Sequence, residues 1–164
     1  METKWASLFF AVSIVTIGAV MSLSAVPALA QNQDPLVGTW NFHGANLDGS
    51  NPFIFVQTFN AGGTTVEFDT AGTNSSSSPG ESIVLGKWSK TASSKYTFKE
   101  QNYVYDQSGK LALLAVASCK LELASSMKHA SGPCTLNFYQ CSLTQCPGTL
   151  MFGPIAYKFS GKRF

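Results

Sequence analysis

A chain of 164 residues with a formal net charge of +2 has room for one domain with a real core and not for two. That charge is too small and too scattered to point to nucleic acid or an anionic membrane surface. The reading therefore has to come from patterning.

Residues 1–30 carry Lys4 near the start, an apolar run from Trp5 to about Val20, and the finish Val26-Pro27-Ala28-Leu29-Ala30. A charged start, an apolar middle and Ala-x-Ala are what a secretory signal presents to its peptidase. The expectation is a cleavable signal peptide over 1–30, a single mature domain over 31–164, and a secreted or periplasmic location. A membrane anchor is the competing reading, because the apolar run is nearly long enough to span a bilayer. Glu2 and Lys4 cancel, so cleavage leaves the net charge at +2. No second apolar run of spanning length follows, and no stable membrane insertion is expected after cleavage.

From Leu36 onward short apolar or alternating runs recur between turn residues, and no stretch keeps a helical period over three turns. That is an all-β pattern. Strands are predicted over 36–42, 53–59 and 64–68, the last two joined as a hairpin through Asn60-Ala61-Gly62-Gly63. Residues 71–81, with the run Ser75 to Ser78, read as a Ser-rich loop. Further strands are predicted over 83–88, 95–100 with a continuation to 105, 110–123, 134–141, 149–152 and 155–163. Eight or nine antiparallel strands, with no connection long enough for a helical crossover, most economically close into an up-and-down barrel.

Alternation assigns the faces. Phe53, Phe55 and Phe59 share one face of their strand, Val66 and Phe68 the next, then Tyr96 with Phe98, and Leu136 with Phe138, so these are predicted to line the interior. Glu67, between Val66 and Phe68, is predicted to point outward; Glu100, in phase with Phe98, points inward or to the rim. Two stretches are apolar on both faces, Phe53 to Val56 and Leu111 to Ala117, which predicts a covered outer face or a contact between copies.

Four cysteines, Cys119, Cys134, Cys141 and Cys146, lie in the last third of the chain. An even count in an exported domain reads as two disulfides, for which three connectivities exist. Hairpin geometry favours Cys119–Cys134 with Cys141–Cys146. A four-thiolate zinc site is the alternative, but the closely paired Cys-x-x-Cys that such sites use is missing.

Gly38-Thr39-Trp40 stands on the first predicted strand, and Arg163 lies next to the end of the last in Gly161-Lys162-Arg163-Phe164. In these features the chain resembles the calycins, the lipocalins and fatty-acid-binding proteins, whose Gly-x-Trp opens the barrel and whose late basic residue lies across the indole. The resemblance implies that Trp40 and Arg163 close the barrel base and that a small apolar ligand sits inside. Arg163 is also the one arginine in the chain, and planar stacking on an indole suits arginine better than lysine. A barrel of the allene oxide cyclase and dirigent type is the alternative fold.

Signals for catalysis are weak. His43 and His129 are the two histidines, no Gly-x-Ser-x-Gly elbow accompanies them, and Ser125-x-x-Lys128 falls in a turn. No phosphate loop, metal-ligand cluster or nucleic-acid platform stands out, so no catalytic residue, metal or cofactor is assigned. One feature would change this: a carboxylate inside an apolar barrel has a raised pKa suited to acid–base work, and Glu100 is the candidate. The leading expectation is an exported barrel that binds a small apolar ligand among Phe55, Phe59, Phe68, Phe98 and Phe138. The alternatives are a solidly packed barrel with a structural or oligomeric interaction role, and an isomerase or cyclase acting on an apolar substrate. Interior volume and its polar lining separate the three.

Overall fold

The computed structural model describes residues 33–69 and 80–164; the expected signal peptide over 1–30 and nearly all of the Ser-rich loop 71–81 lie outside the described residues. Eight strands follow in chain order: β1 (Gly38–Asn46), β2 (Phe53–Phe59), β3 (Thr64–Asp69), β4 (Val84–Lys90), β5 (Lys95–Tyr105), β6 (Leu111–Leu123), β7 (His129–Gln140) and β8 (Leu150–Arg163). Each pairs antiparallel with the next and β8 returns to β1, giving a closed up-and-down barrel. Two predicted pieces, 149–152 and 155–163, are one strand. Gly153-Pro154 reads as a break, but β8 passes it through a register shift against β7, between Leu136 and Phe138, where a strand tolerates proline. His129 is the first residue of β7, which therefore begins before the predicted strand 134–141.

The β2–β3 hairpin decides which side chains point inward. Gly63 takes φ 78°, and the Asn60 N–H donates to the Thr64 carbonyl at 2.9 Å, leaving the three-residue loop Ala61-Gly62-Gly63. This loop sets Phe59 opposite Thr65 and Gln57 opposite Glu67. Cross-strand partners share a face. The inward face of β2 therefore continues into Thr65 and Glu67, while Val66 and Phe68 turn outward. This reverses the sequence reading of β3, and Phe68 is 61% exposed.

One end of the barrel is closed by a turn at residues 34–37. Leu36 and Trp40 are fully buried, and the Trp40 indole N–H donates to the Leu36 carbonyl at 2.9 Å. Asp34 holds the turn in place, accepting from the Leu36 N–H at 3.0 Å, the Tyr96 hydroxyl at 2.7 Å and the Lys90 ammonium at 2.9 Å. Burial raises the pKa of that carboxyl, but these three hydrogen bonds and the Lys90 charge outweigh burial and hold it below the usual range. Arg163 is the register partner of Trp40 across the β1–β8 seam. Its guanidinium lies against Gly38 and donates to the carbonyls of Val37 and Pro35. Arginine thus closes the base through backbone carbonyls, where the resemblance implied stacking on the indole.

Next to this base the interior is solid. Phe42, Phe55, Phe59, Phe98 and Phe159 meet in stacked and edge-to-face pairs with ring centroids 5.0 to 6.0 Å apart. The Cys119–Cys134 disulfide joins register partners of β6 and β7, and both cysteines are buried. Cys141–Cys146 closes the loop after β7, and no cysteine is free. Two such disulfides fit an oxidising compartment. Cys141 also packs with outward-facing Leu114 and Val116, covering part of one doubly apolar strand. The other, β2, leaves Ile54 41% exposed, and Phe68 on the neighbouring β3 is exposed as well.

The base makes a direct demand on stability. Trp40→Ala is expected to lower the unfolding free energy by about 3–5 kcal/mol through the cavity it leaves. Arg163→Lys is expected to cost about 1 kcal/mol, since one ammonium does not reproduce the two-carbonyl grip. Urea titration measures both, and an Arg163→Lys variant as stable as the parent would show that the base closes without the guanidinium.

Candidate functional site

Where the phenylalanines stop, the barrel is hollow. A cavity of about 550 Å³ occupies the other end, with Phe53, Leu136, Phe138 and Ile155 on its apolar side and Glu67, Glu81, Glu100 and Asn102 on its polar side. Space exists there because β6 contributes Ala115 and Ala117, and Ala117 is the register partner of Glu100.

Glu100 is only 2% exposed. Gly86 lies between Thr65 and Glu100 in the same cross-strand row, and a Cβ there would meet Glu100 Cγ at 2.5 Å and Thr65 Oγ1 at 2.6 Å. Glycine alone leaves that lane open. Through it the Thr65 hydroxyl donates to Glu100 Oε1 at 2.6 Å, and the Gln57 side-chain amide donates to the same oxygen. The Glu67 carboxyl also lies within hydrogen-bonding reach of Glu100. Burial dominates and pushes Glu100 up to about 7, against the lowering influence of Thr65, Glu67 and Gln57. Burial thus keeps a proton on Glu100 near neutrality that an exposed glutamate would have lost. Gln57 itself is fully buried, and its Oε1 has no hydrogen-bond partner. Asn102 donates to Glu81 at 2.9 Å, which holds this third acidic side chain at the rim.

The structure disperses the five phenylalanines that alternation grouped as a pocket. Phe55, Phe59 and Phe98 are buried in the packed half, Phe68 is outside, and Phe138 lines the cavity. His43 and His129 are exposed and do not line it, and Ser125 and Lys128 belong to the β6–β7 turn. The residues that sequence reasoning missed are Gln57, Thr65 and Asn102, together with the inward aim of Glu67. For two of them a signal was present. Gln57 interrupts the phase Phe53-x-Phe55-x-Gln57-x-Phe59, and Asn102 continues the phase of Phe98 and Glu100.

Among the described residues, no group of three or more His, Cys, Asp or Glu side chains is placed to hold a metal ion. The acidic side chains instead spread along one wall facing an apolar one. A separate hollow of about 820 Å³ crosses the outer surface, where exposed Lys87, Lys99 and Lys120 supply the charges. Comparison with protein-family models, with curated proteins and with solved structures returns no match.

Glu100 ties stability to pH with a definite sign. The folded state keeps its proton up to about pH 7, whereas an ordinary glutamate loses it near 4.5. Between these values the folded state binds the extra proton, so this contribution is fully present below the lower value and is lost as pH rises through the upper one. The loss amounts to roughly 3 kcal/mol. Glu100→Gln keeps the shape and removes the titration. Urea unfolding followed from about pH 5 to about pH 8 should show the parent losing stability across that window and the variant losing much less. Parallel curves would mean that Glu100 ionises normally.

Proposed function

We propose that this protein is an exported, calycin-like binding barrel that takes up a small molecule with an apolar body at its open end. The observation that carries the reading is the interior cavity of about 550 Å³, with one apolar wall and a few polar groups opposite. Small-molecule sites are concave, mostly apolar and of roughly 300–1,000 Å³. An eight-stranded barrel is just wide enough either to be filled by side chains or to hold one ligand, and this one is filled at the base and hollow at the mouth. The signal-like residues 1–30 and the two disulfides support export. The up-and-down topology and the pairing of Trp40 with Arg163 support the calycin-like reading.

Apolar burial against Phe53, Leu136, Phe138 and Ile155 drives binding. A ligand burying about 250 Å² of apolar surface gains roughly 6 kcal/mol. Micromolar affinity needs about 8 kcal/mol, even before the cost of immobilising the ligand. Polar anchoring must therefore add to burial, and Glu100 and Asn102 are placed to supply it.

Glu100 favours a second reading, in which a carboxyl poised near neutrality transfers a proton on a bound apolar substrate, as an isomerase or cyclase requires. The cavity argues against the third, a wholly packed interior with a purely structural role.

A neutral solvatochromic dye tests the binding reading. Its emission is expected to rise and shift to the blue on adding the parent protein. Ala117→Trp, which fills the cavity from β6, is expected to weaken binding at least about tenfold while the barrel's circular dichroism is kept. An unchanged emission, or a filled variant that binds as tightly as the parent, would overturn the assignment.

A further inference from the structure

We propose that the hollow on the outer surface, over β4 to β8, is a second binding site, and that it takes an acidic polysaccharide whose carboxylate or sulfate groups pair with Lys87, Lys99 and Lys120. This site is separate from the interior cavity and goes beyond the binding reading above.

Strand alternation concentrates the positive charge there. Lys87 on β4 stands directly opposite Lys99 on β5, and Lys120 on β6 stands opposite Thr97, two residues along from Lys99. All three lysines are exposed and line the hollow, and among the described residues no aspartate or glutamate lines it. Glu100, next to Lys99 in sequence, is buried and lines the interior cavity instead. Residues 70–79, which join β3 to β4, contain no ionisable side chain, so that connection brings no countercharge. Like charges directly opposite each other in a sheet are destabilising. The Lys87–Lys99 pair therefore works against the fold until an anion lies between the two ammonium groups, where each makes a charge-assisted hydrogen bond.

Beyond the lysines the hollow offers hydroxyl groups. Ser118 and Thr135 continue the row of Lys87 and Lys99 across β6 and β7, and Ser89 pairs with Thr97 beside it. A hydroxyl both donates and accepts, which matches the hydroxyl groups of a sugar. The hollow holds about 820 Å³ and is lined from five neighbouring strands. At an interstrand spacing of ~4.8 Å those five strands reach across roughly 15–20 Å. A single small anion occupies only the lysine end, whereas a chain of sugar units with charges at intervals uses the whole length.

Other polyanions fit less well. Single-stranded nucleic acid binds where bases can stack on aromatic faces. The aromatic residues under this hollow pack among themselves and other rings: Trp88 meets Phe59 and Tyr96, and Phe98 meets Phe159. A membrane surface calls for lysines around apolar side chains that enter the lipid. Here the surface is concave, and Leu47 is the one exposed large apolar side chain that lines it among the described residues.

The test follows the fluorescence polarisation of labelled polygalacturonate, dextran sulfate and neutral dextran on adding the full mature protein. At least one acidic chain is expected to bind, neutral dextran is not, and the affinity is expected to fall as salt rises. The double variant Lys87→Gln/Lys99→Gln is expected to bind at least about tenfold more weakly. Lys110→Gln/Lys128→Gln removes the same charge from turns outside the hollow and is expected to bind like the parent. If the first variant loses its circular dichroism, Lys120→Gln replaces it, with a smaller loss in the same direction. Dye uptake by the interior cavity is expected to be unchanged in every variant, so the two sites stand or fall separately. Binding of neither acidic chain, or an equal loss in both double variants, overturns the inference. So does tighter binding of oligothymidylate or of phosphatidylglycerol vesicles than of either acidic chain, which would assign the hollow to nucleic acid or to lipid.

Discussion

The seam between β1 and β8 is the constraint on which the rest of the barrel depends. Without it the first and last strands would be open edges, each exposing a row of unpaired backbone groups. The sheet hydrogen bonds close the cylinder, but they do not cap it. The cap comes from the turn at residues 34–37, whose carbonyls belong to no ladder and must find donors elsewhere. The Trp40 indole takes that of Leu36, and the Arg163 guanidinium takes those of Pro35 and Val37. The Trp40 bond is local, but the Arg163 guanidinium reaches the turn from the other end of the sequence, so the base ties both ends of the domain into one unit. Phenylalanines pack against it, and the interior cavity lies at the opposite end.

The hollow end follows different rules. An apolar filling like that of the base would be more stable than a buried carboxyl, because removing a carboxylate from water costs several kcal/mol unless donors compensate. Three features of the chain accommodate Glu100 instead. Gly86 gives up a side chain to make a lane, Thr65 and Gln57 donate along it, and Ala117 leaves the facing position empty. Each breaks a local preference of strands for large β-branched residues or of cores for apolar ones. Four residues make these three departures, Gly86, Thr65, Gln57 and Ala117, and all surround one carboxyl.

Much of the architecture was legible because strands have a period of two and their turns have a restricted chemistry. Most strand positions and the antiparallel barrel could be read from that, and hairpin geometry favoured the cysteine pairing that is found, although β7 starts earlier and β8 is one strand. The facing of β3 was not legible in the same way. In Thr64-Thr65-Val66-Glu67-Phe68 the apolar pattern says that Val66 and Phe68 are inside, and a dry interior was the premise of that reading. The side is set instead by the number of residues in the Gly63 loop, which fixes the partner of Phe59 as Thr65. A strand with its polar face inward is what a polar cavity wall requires, so the failed pattern marks the site. Height along the barrel was also beyond alternation. Phe98 and Phe138 both face inward, yet one is in the packed half and the other lines the cavity.

The whole-chain charge of +2 conceals the sharpest electrostatic contrast in the molecule. Alternation sorts charge by sign: Lys87, Lys99 and Lys120 project into solvent, while Glu67 and Glu100 on the same run of strands project inward. The two populations then act in different media. Ions screen the outer lysines within about 10 Å at ordinary salt. The inner carboxyls have protein on most sides, where a unit charge acts several times more strongly than in water. A molecule approaching from solution therefore meets a weakly basic exterior, and one that enters meets an acidic interior that the net charge gives no hint of.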